Sequence, residues 1–450
     1  MKVLFVSLGC EKNLADSEKM LGALKTRGHV LTDNEEEAEA AVVNTCCFIH
    51  DAKQESIETI LSLAQLKETA SLKYLIVTGC LAQRYKDEII ASIPETDSVL
   101  GTTAYDELLD VLDKLEAGRL KEQERVITKD ISIDPVLPGS RVRSDITHYS
   151  YLKIAEGCDK RCTYCIIPEL KGHYRSMDFD ALIAEAEALA ADGVTELMVV
   201  AQETTLYGVD LYGKKRLPEL LKRLCAIEGL KLIRLLYCYP EEITDELIET
   251  IASEPKICHY IDMPIQHASD PVLKRMGRRT NGAQIRKTIR KLRKAMPDIA
   301  IRTSLITGFP GETDEDHACL MSFLEECRLD RVGVFTYSRE ENTPAYRMKD
   351  RVLKSVANRR RRELMGLQQK IVFEKNAALV GHEFDVIIDG RIPEDGVYVG
   401  RTYMDAPGID SVVFVRSGRD IISGSVVRVL IEDFKNYDLI GTEVDYDYAQ

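Results

Sequence analysis

The sequence predicts an α/β protein in three parts. Over residues 1–116 strand-like apolar runs alternate with helical stretches, the pattern of a parallel, doubly wound sheet. Between 144 and 375 six more strand–helix repeats predict a partial (β/α)6 barrel. From 377 to 446 the pattern becomes short alternating runs separated by Gly, Asp and Pro, which predicts a small antiparallel β-barrel. The polar stretch 117–143, with Pro135 and Pro138-Gly139, reads as the linker between the first two parts.

In the first part, residues 3–7 form an apolar run that leads to Gly9-Cys10. Asp16 and Ser17 offer caps for a helix through Lys25, closed by Gly28. Residues 41–43 run into Asn44-Thr45-Cys46-Cys47, and a helix follows over 51–67. A strand at 72–77 leads to Thr78-Gly79-Cys80. A helix at 83–92, a strand at 98–100 and a helix at 105–117 complete this part.

Cys10, Cys46 and Cys80 therefore each close a strand. The carboxyl ends of neighbouring parallel strands converge on one crevice, so three residues far apart in sequence can meet there. Three inert thiols are one reading, since free Cys packs as a small hydrophobe. A three-thiolate iron–sulfur site with one iron left open explains why the position repeats. Cys47 is taken as a non-ligand, because neighbouring residues of an extended chain point to opposite sides.

In the second part, a strand at 151–154 ends at Gly157, and Cys158, Cys162 and Cys165 follow in C-x3-C-x2-C spacing. Tyr164 precedes the last of them. Three thiolates are one fewer than a closed zinc site needs. A disulfide with a spare thiol, zinc completed by His173, and an open 4Fe-4S cluster are the three readings of this loop.

The remaining strands fall at 196–200, 232–236, 260–263, 300–306 and 331–336, with helices at 179–191, 219–226, 244–252, 283–295 and 314–327. Active residues of such barrels lie at the carboxyl ends of the strands. That rule selects Cys158, Cys162 and Cys165, then Gln202-Glu203, Tyr237, Gln266-His267, and Gly308 through Glu312. The glycines of Gly308-Phe309-Pro310-Gly311 permit close backbone approach to a ligand, and the next helix offers its N-terminus to a polar group. His267 reads either as a proton donor or as a structural hydrogen-bonding group. Arg359, Arg360, Arg361 and Arg362 lie on a helix over 354–370, where four consecutive residues cannot share one face. A solvated connecting helix and a contact with ribosomal or transfer RNA are the two readings. Cys225, Cys238, Cys258, Cys319 and Cys327 show no ligand spacing and are assigned to the core.

Composition narrows the class. Twelve cysteines in a chain without a secretory leader point to metal or catalytic thiols rather than bridges, and to a cytoplasmic protein. No apolar run reaches the roughly 18 residues of a membrane span. A net charge of −14 argues against a surface that coats nucleic acid. From residue 377 onward about fourteen acidic residues stand against six basic ones, which favours a basic protein partner over phosphate.

The loop of Cys158, Cys162 and Cys165, placed after a strand and with an aromatic before the last Cys, resembles that of the radical S-adenosylmethionine enzymes. Gly9-Cys10-Glu11-Lys12-Asn13, Asn44-Thr45-Cys46 and Gly79-Cys80 resemble the N-terminal domain of the methylthiotransferases within that superfamily. The last segment resembles their terminal TRAM module. Within methylthiotransferases one branch modifies isopentenylated adenosine in transfer RNA. Another methylthiolates the β-carbon of an aspartate in small-subunit ribosomal protein twelve. Ser7 through Leu14, Asp262 through Ser269, and Asp405-Ala406-Pro407-Gly408-Ile409-Asp410 resemble the second branch.

The resemblance implies two 4Fe-4S clusters, held by Cys10, Cys46 and Cys80 and by Cys158, Cys162 and Cys165, which face one cavity. It implies two molecules of S-adenosylmethionine, one methylating a cluster-bound sulfur and one cleaved to a radical that takes hydrogen from the substrate carbon. It also implies cofactor contacts at Tyr164, Gln202, Glu203, Gly308 and Glu312, although the 308–312 motif is one residue longer than the family's. An electron donor such as flavodoxin or ferredoxin follows from the same likeness. The reading from a different class is an iron–sulfur electron-transfer or scaffold protein, with both triads filled by a fourth ligand.

Overall fold

The computed structural model describes residues 1–145, 147–393 and 396–444. The chain forms two compact units: residues 1–145, 156–175 and 338–346 belong to the first, and 147–155, 176–337 and the described residues from 347 onward to the second.

The first unit is built on a six-stranded parallel sheet. Val30–Thr32 flanks Lys2–Ser7 on one side; Ala40–Thr45, Tyr74–Gly79, Ser98–Leu100 and Val126–Ile127 follow on the other. Strand alternation sends Ala41, Val43, Leu75 and Val77 to the face covered by the helices His50–Thr69 and Cys80–Ser92. Val3, Ala40, Val42 and Ile76 go to the opposite face, under Glu11–Thr26 and Leu108–Glu116. Both faces are thus buried, as the continuous apolar strands require.

Two expectations change here. The first helix starts at Glu11, directly after Cys10, and not at Asp16 or Ser17. Those residues lie buried in its middle. The Ser17 hydroxyl meets that of Ser7 at 2.7 Å and accepts from Asn44 Nδ2 at 2.9 Å, so tertiary bonds replace the capping role. The stretch 117–143 is also no free tether. It adds the edge strand Val126–Ile127, and Arg141 pairs with Glu18 in a site where both side chains are 5% exposed. Ser140 lies so close to that helix that a Cβ on Gly22 would stand 1.9 Å from its carbonyl oxygen.

In the second unit six parallel strands lie in chain order: Tyr149–Lys153, Glu196–Val200, Leu232–Leu235, Ile257–Asp262, Ala300–Thr307 and Arg331–Thr336. The helix Lys354–Leu379 leads to a closed barrel of five strands, Glu383–Ile392, Val397–Arg401, Val413–Arg416, Val426–Lys435 and Asp438–Glu443. The last strand was not anticipated, and its parallel pairing with Val413–Arg416 closes an otherwise antiparallel barrel. The expected limit at 446 lies outside the described residues.

This barrel is fastened to the large sheet by buried ion pairs. Arg401 bonds Glu196 at 2.7 Å and Asp389 at 2.7 Å; Glu196 also holds Arg234 at 3.0 Å. Arg331 bonds Asp405 at 2.8 Å, and Arg302 meets Asp410 at 3.3 Å. Glu196 and Arg331 open their strands, so the barrel covers the amino-terminal ends of the sheet and leaves the carboxyl ends to the chemistry. The Asp405–Asp410 motif is spent on this docking.

Candidate functional site

The strand order of the first sheet puts Cys10, Cys46 and Cys80 just past the carboxyl ends of three adjacent strands. Gly9 adopts φ +92°, and a Cβ there would stand 2.6 Å from Cys46 Cβ and 3.0 Å from its sulfur. The loop can close on Cys46 only with glycine. Asn13 Nδ2 donates to the carbonyls of Leu8 and Thr45, and Asn44 Nδ2 to that of Asn13, so the two asparagines lock the loops that carry Cys10 and Cys46. Ser56 both donates to the Cys46 carbonyl and accepts from its N–H.

All twelve cysteines are free thiols, which removes the disulfide reading. Burial pushes the Cys46 and Cys80 thiols up, and negative charge at Cys10 adds to both shifts. Cys47 has no exposed surface, packs into the core, and is pushed up to about 12, chiefly by burial. Among the described residues no three His, Cys, Asp or Glu side chains close around one point as a single-ion site requires. Three soft sulfur donors suit a polynuclear iron–sulfur group, whose thiolates occupy separate corners.

Cys158, Cys162 and Cys165 lie on a loop that belongs to the same compact unit. Gly157, at φ +79°, precedes it, and a Cβ there would stand 2.0 Å from the His173 carbonyl oxygen. Cys158 N–H donates to the Gly172 carbonyl and Cys165 N–H to that of Cys162. Burial pushes the Cys165 thiol up, with Cys162 next in effect. Tyr164 is half-buried in the loop. His173 is 67% exposed and pairs with Asp159 at 2.7 Å, so the zinc reading loses its fourth ligand. The short helix Ile167–Lys171 then enters the first unit's core, where Ile166 and Leu170 pack in the cluster that holds Cys80. Lys171 is buried there between Asp16 and Glu156. Sequence spacing gave no signal for this lysine.

In the second unit, Gln202 and Glu203 follow the strand Glu196–Val200. Glu203 is buried and accepts from the N–H and hydroxyl of Thr205. Tyr237 and Gln266, each just past a strand, adopt the left-handed φ values +61° and +68°. Their backbones are held from both sides: Tyr237 N–H donates to Asp262 and its carbonyl accepts from Thr204, while Gln266 bonds Ser304 and Ile306. Strain of about 1–3 kcal/mol at each non-glycine position marks where a site is shaped.

The glycines at 308 and 311 serve packing. A Cβ on Gly308 (φ +74°) would stand 2.3 Å from Ala357 Cβ, and one on Gly311 the same distance from the Arg275 guanidinium carbon. At each position the close approach on the Cβ side is to another part of the chain. Glu312 has a fully buried side chain that accepts from Gly308 N–H and pairs with Arg360 at 3.3 Å. His267 is fully buried: its Nδ1 accepts from Ser269 N–H at 3.0 Å, and its Nε2 lies 3.7 Å from Glu312. Arg360 is buried, whereas Arg359, Arg361 and Arg362 are exposed.

Comparison with known proteins agrees with these parts. Residues 2–101 match the uncharacterized protein family UPF0004, 152–324 the radical SAM superfamily, and 380–444 the TRAM domain. A radical S-adenosylmethionine methyltransferase from Kitasatospora setae, TsrM, solved with cobalamin and a [4Fe-4S] cluster, shares the fold with TM-score 0.57 at 15% identity, over 76% of each chain. The protein named ribosomal protein uS12 methylthiotransferase RimO from Lachnoclostridium phytofermentans is 58% identical over 98% of this chain and 100% of its own length. Its namesake from Clostridioides difficile is 48% identical over 100% of both. Identity of that order, sustained from end to end across both cysteine triads and the terminal barrel, means that the chain belongs to the RimO family of radical SAM methylthiotransferases.

Proposed function

We infer that this protein methylthiolates ribosomal protein uS12, at the β-carbon of an aspartate. One observation carries the reading: two triads of free thiols, each at strand carboxyl ends, share one compact unit in a chain that aligns end to end with RimO relatives.

In this reading Cys158, Cys162 and Cys165 hold one 4Fe-4S cluster, and Cys10, Cys46 and Cys80 a second. When bound, the clusters and S-adenosylmethionine supply reductive cleavage of the sulfonium and transfer of a methylated sulfur. The chain supplies the rest. Thiols must release their protons to hold iron, so loading strengthens as pH rises. Within the second unit, Gln202, Glu203 and the Gly308 backbone contact S-adenosylmethionine, while Glu312 holds Gly308 N–H from behind. The functional division runs 1–116, 144–375 and 377–446, with 117–143 packed on the first part.

The terminal barrel receives the basic substrate through its exposed carboxylates, Asp433 among them. Any contact with ribosomal RNA falls to Arg359, Arg361 and Arg362, because Arg360 is committed inward. Flavodoxin or ferredoxin provides the electron. Among the described residues no helix is long and apolar enough to cross a membrane; a ribosomal substrate places the work in the cytoplasm.

The test is anaerobic incubation of reconstituted protein with S-adenosylmethionine, dithionite, uS12 and transfer RNA. Mass spectrometry should find one SCH3 in place of one hydrogen on uS12, with 5′-deoxyadenosine formed. Product on transfer RNA alone would overturn the substrate, and absence of 5′-deoxyadenosine would leave an electron-transfer or scaffold protein.

A further inference from the structure

We propose that Lys171 is a positioning residue shared by the two thiolate triads. It ties the Cys158–Cys165 loop to the cradle of Cys10, Cys46 and Cys80, and its charge sets the reduction potential of the cluster held in that cradle. The proposal rests on the reading of these cysteines as cluster ligands.

Lys171 is 4% exposed. Its ammonium lies 3.2 Å from Glu156 Oε2 and 3.4 Å from Asp16 Oδ2, and those side chains are 8% and 3% exposed. Each anion leads to a triad. Glu156 Oε1 accepts from the N–H of Gly157, the residue before Cys158. Asp16 lies on the helix that begins directly after Cys10. Lys171 ends the short helix whose Leu170 packs in one cluster with Cys80, and the Thr102 hydroxyl fixes that turn by donating to the Leu170 carbonyl at 2.6 Å.

A buried ion triad gives little stability that apolar groups of the same volume would not. Beside a redox centre its charge acts directly, because cluster potentials respond to net charge in a poorly screened interior. The sign follows. A positive charge stabilises the added electron, so removal of Lys171 makes reduction harder. Removal of the charge on Glu156 makes it easier. A bridge that merely held the fold would not give opposite signs.

The experiment uses the full chain carrying Cys158→Ala, Cys162→Ala and Cys165→Ala, which leaves one cluster. Lys171→Met, Lys171→Arg and Glu156→Gln are added singly. Iron content and the electron paramagnetic resonance signal of the reduced cluster are followed against applied potential. At the potential where the parent is half reduced, the reduced-to-oxidised ratio should fall about tenfold in Lys171→Met. It should rise in Glu156→Gln and stay near the parent in Lys171→Arg. Equal ratios in Lys171→Met and Glu156→Gln with iron retained, or shifts of the same sign, overturn the proposal. Should Lys171→Met lose its iron, the Glu156→Gln rise alone decides. A parent without iron would overturn the cluster reading instead.

Discussion

Replacement of Arg401 by Met should loosen the terminal barrel from the large sheet. The Arg401 side chain is 1% exposed and bonds Glu196 at 2.7 Å, both oxygens of Asp389, and the Asp405 carbonyl. Methionine fills much of the volume, so the loss is electrostatic. It leaves Glu196, with no exposed side-chain surface, on Arg234 alone. Breaking one partner of a buried ion network costs about 3–5 kcal/mol. At about 2–4 °C per kcal/mol, the melting temperature of the second unit should fall by roughly 10 °C. A chain of two units need not unfold in one step, so the sharper assay is hydrogen exchange. Protection in Val413–Arg416 and Val426–Lys435 should drop while that in Tyr74–Gly79 holds. Removing the stranded carboxylate as well, in Arg401→Met with Glu196→Gln, should restore part of the loss. The sign with pH also follows. Burial pushes the Glu196 carboxyl up, but Arg234 and Arg401 outweigh it and hold it below its ordinary value of 4.5. Its contribution is present above that value and lost as pH falls through the folded one, so Arg401→Met should fail at higher pH than the parent. Unchanged protection, with stability within about 1 kcal/mol of the parent, would refute the reasoning.

Gly308→Ala should cost at least about 1–3 kcal/mol, since φ +74° and a Cβ 2.3 Å from Ala357 Cβ both oppose it; calorimetry should also find weaker S-adenosylmethionine binding. Arg360→Ala should destabilise by about 3 kcal/mol by stranding buried Glu312, and exposed Arg362→Ala should stay within about 0.5 kcal/mol in denaturant titrations. Cys10→Ala should lower the iron content of reconstituted protein by about half and leave the Cys158–Cys165 cluster's spectrum in place.

The thiol triads were legible because one residue type recurred at the close of successive strands, a coincidence that topology alone explains. The helices Phe179–Ala191 and Asp314–Cys327 start where the sequence reading put them, and Asp178 and Thr313 accept their first N–H groups. The same chemistry misled at Asp16 and Ser17, where tertiary partners outbid the cap. Val30–Thr32 and Val126–Ile127 are too short for a period to register. Gly308 and Gly311 lie at points of close approach to Ala357 and Arg275, and local sequence carries no trace of either partner. Lys171 was invisible for a related reason. A lone lysine in a Glu-Leu-Lys-Gly run reads as surface, and only the fold brings Asp16 to it from 155 residues away.

Charge counting overstated one argument and strain strengthened another. The acidic excess of the terminal barrel includes Asp389, Asp405 and Asp410, whose carboxylates neutralise Arg401, Arg331 and Arg302 within the structure. They add nothing to a field that a basic substrate would feel, and others, such as Glu383 and Asp385, are shared with Arg428. Net charge is a weak guide to the partner for that reason. Backbone strain points the same way as the thiols. The buried ion pairs gather toward the amino-terminal ends of the large sheet, where Glu196 and Arg331 open their strands, while the left-handed Tyr237 and Gln266 lie past its carboxyl ends. A fold that concentrates its electrostatic fastening on one edge can hold strained backbone on the other, and barrels of this kind place their chemistry on the strained edge.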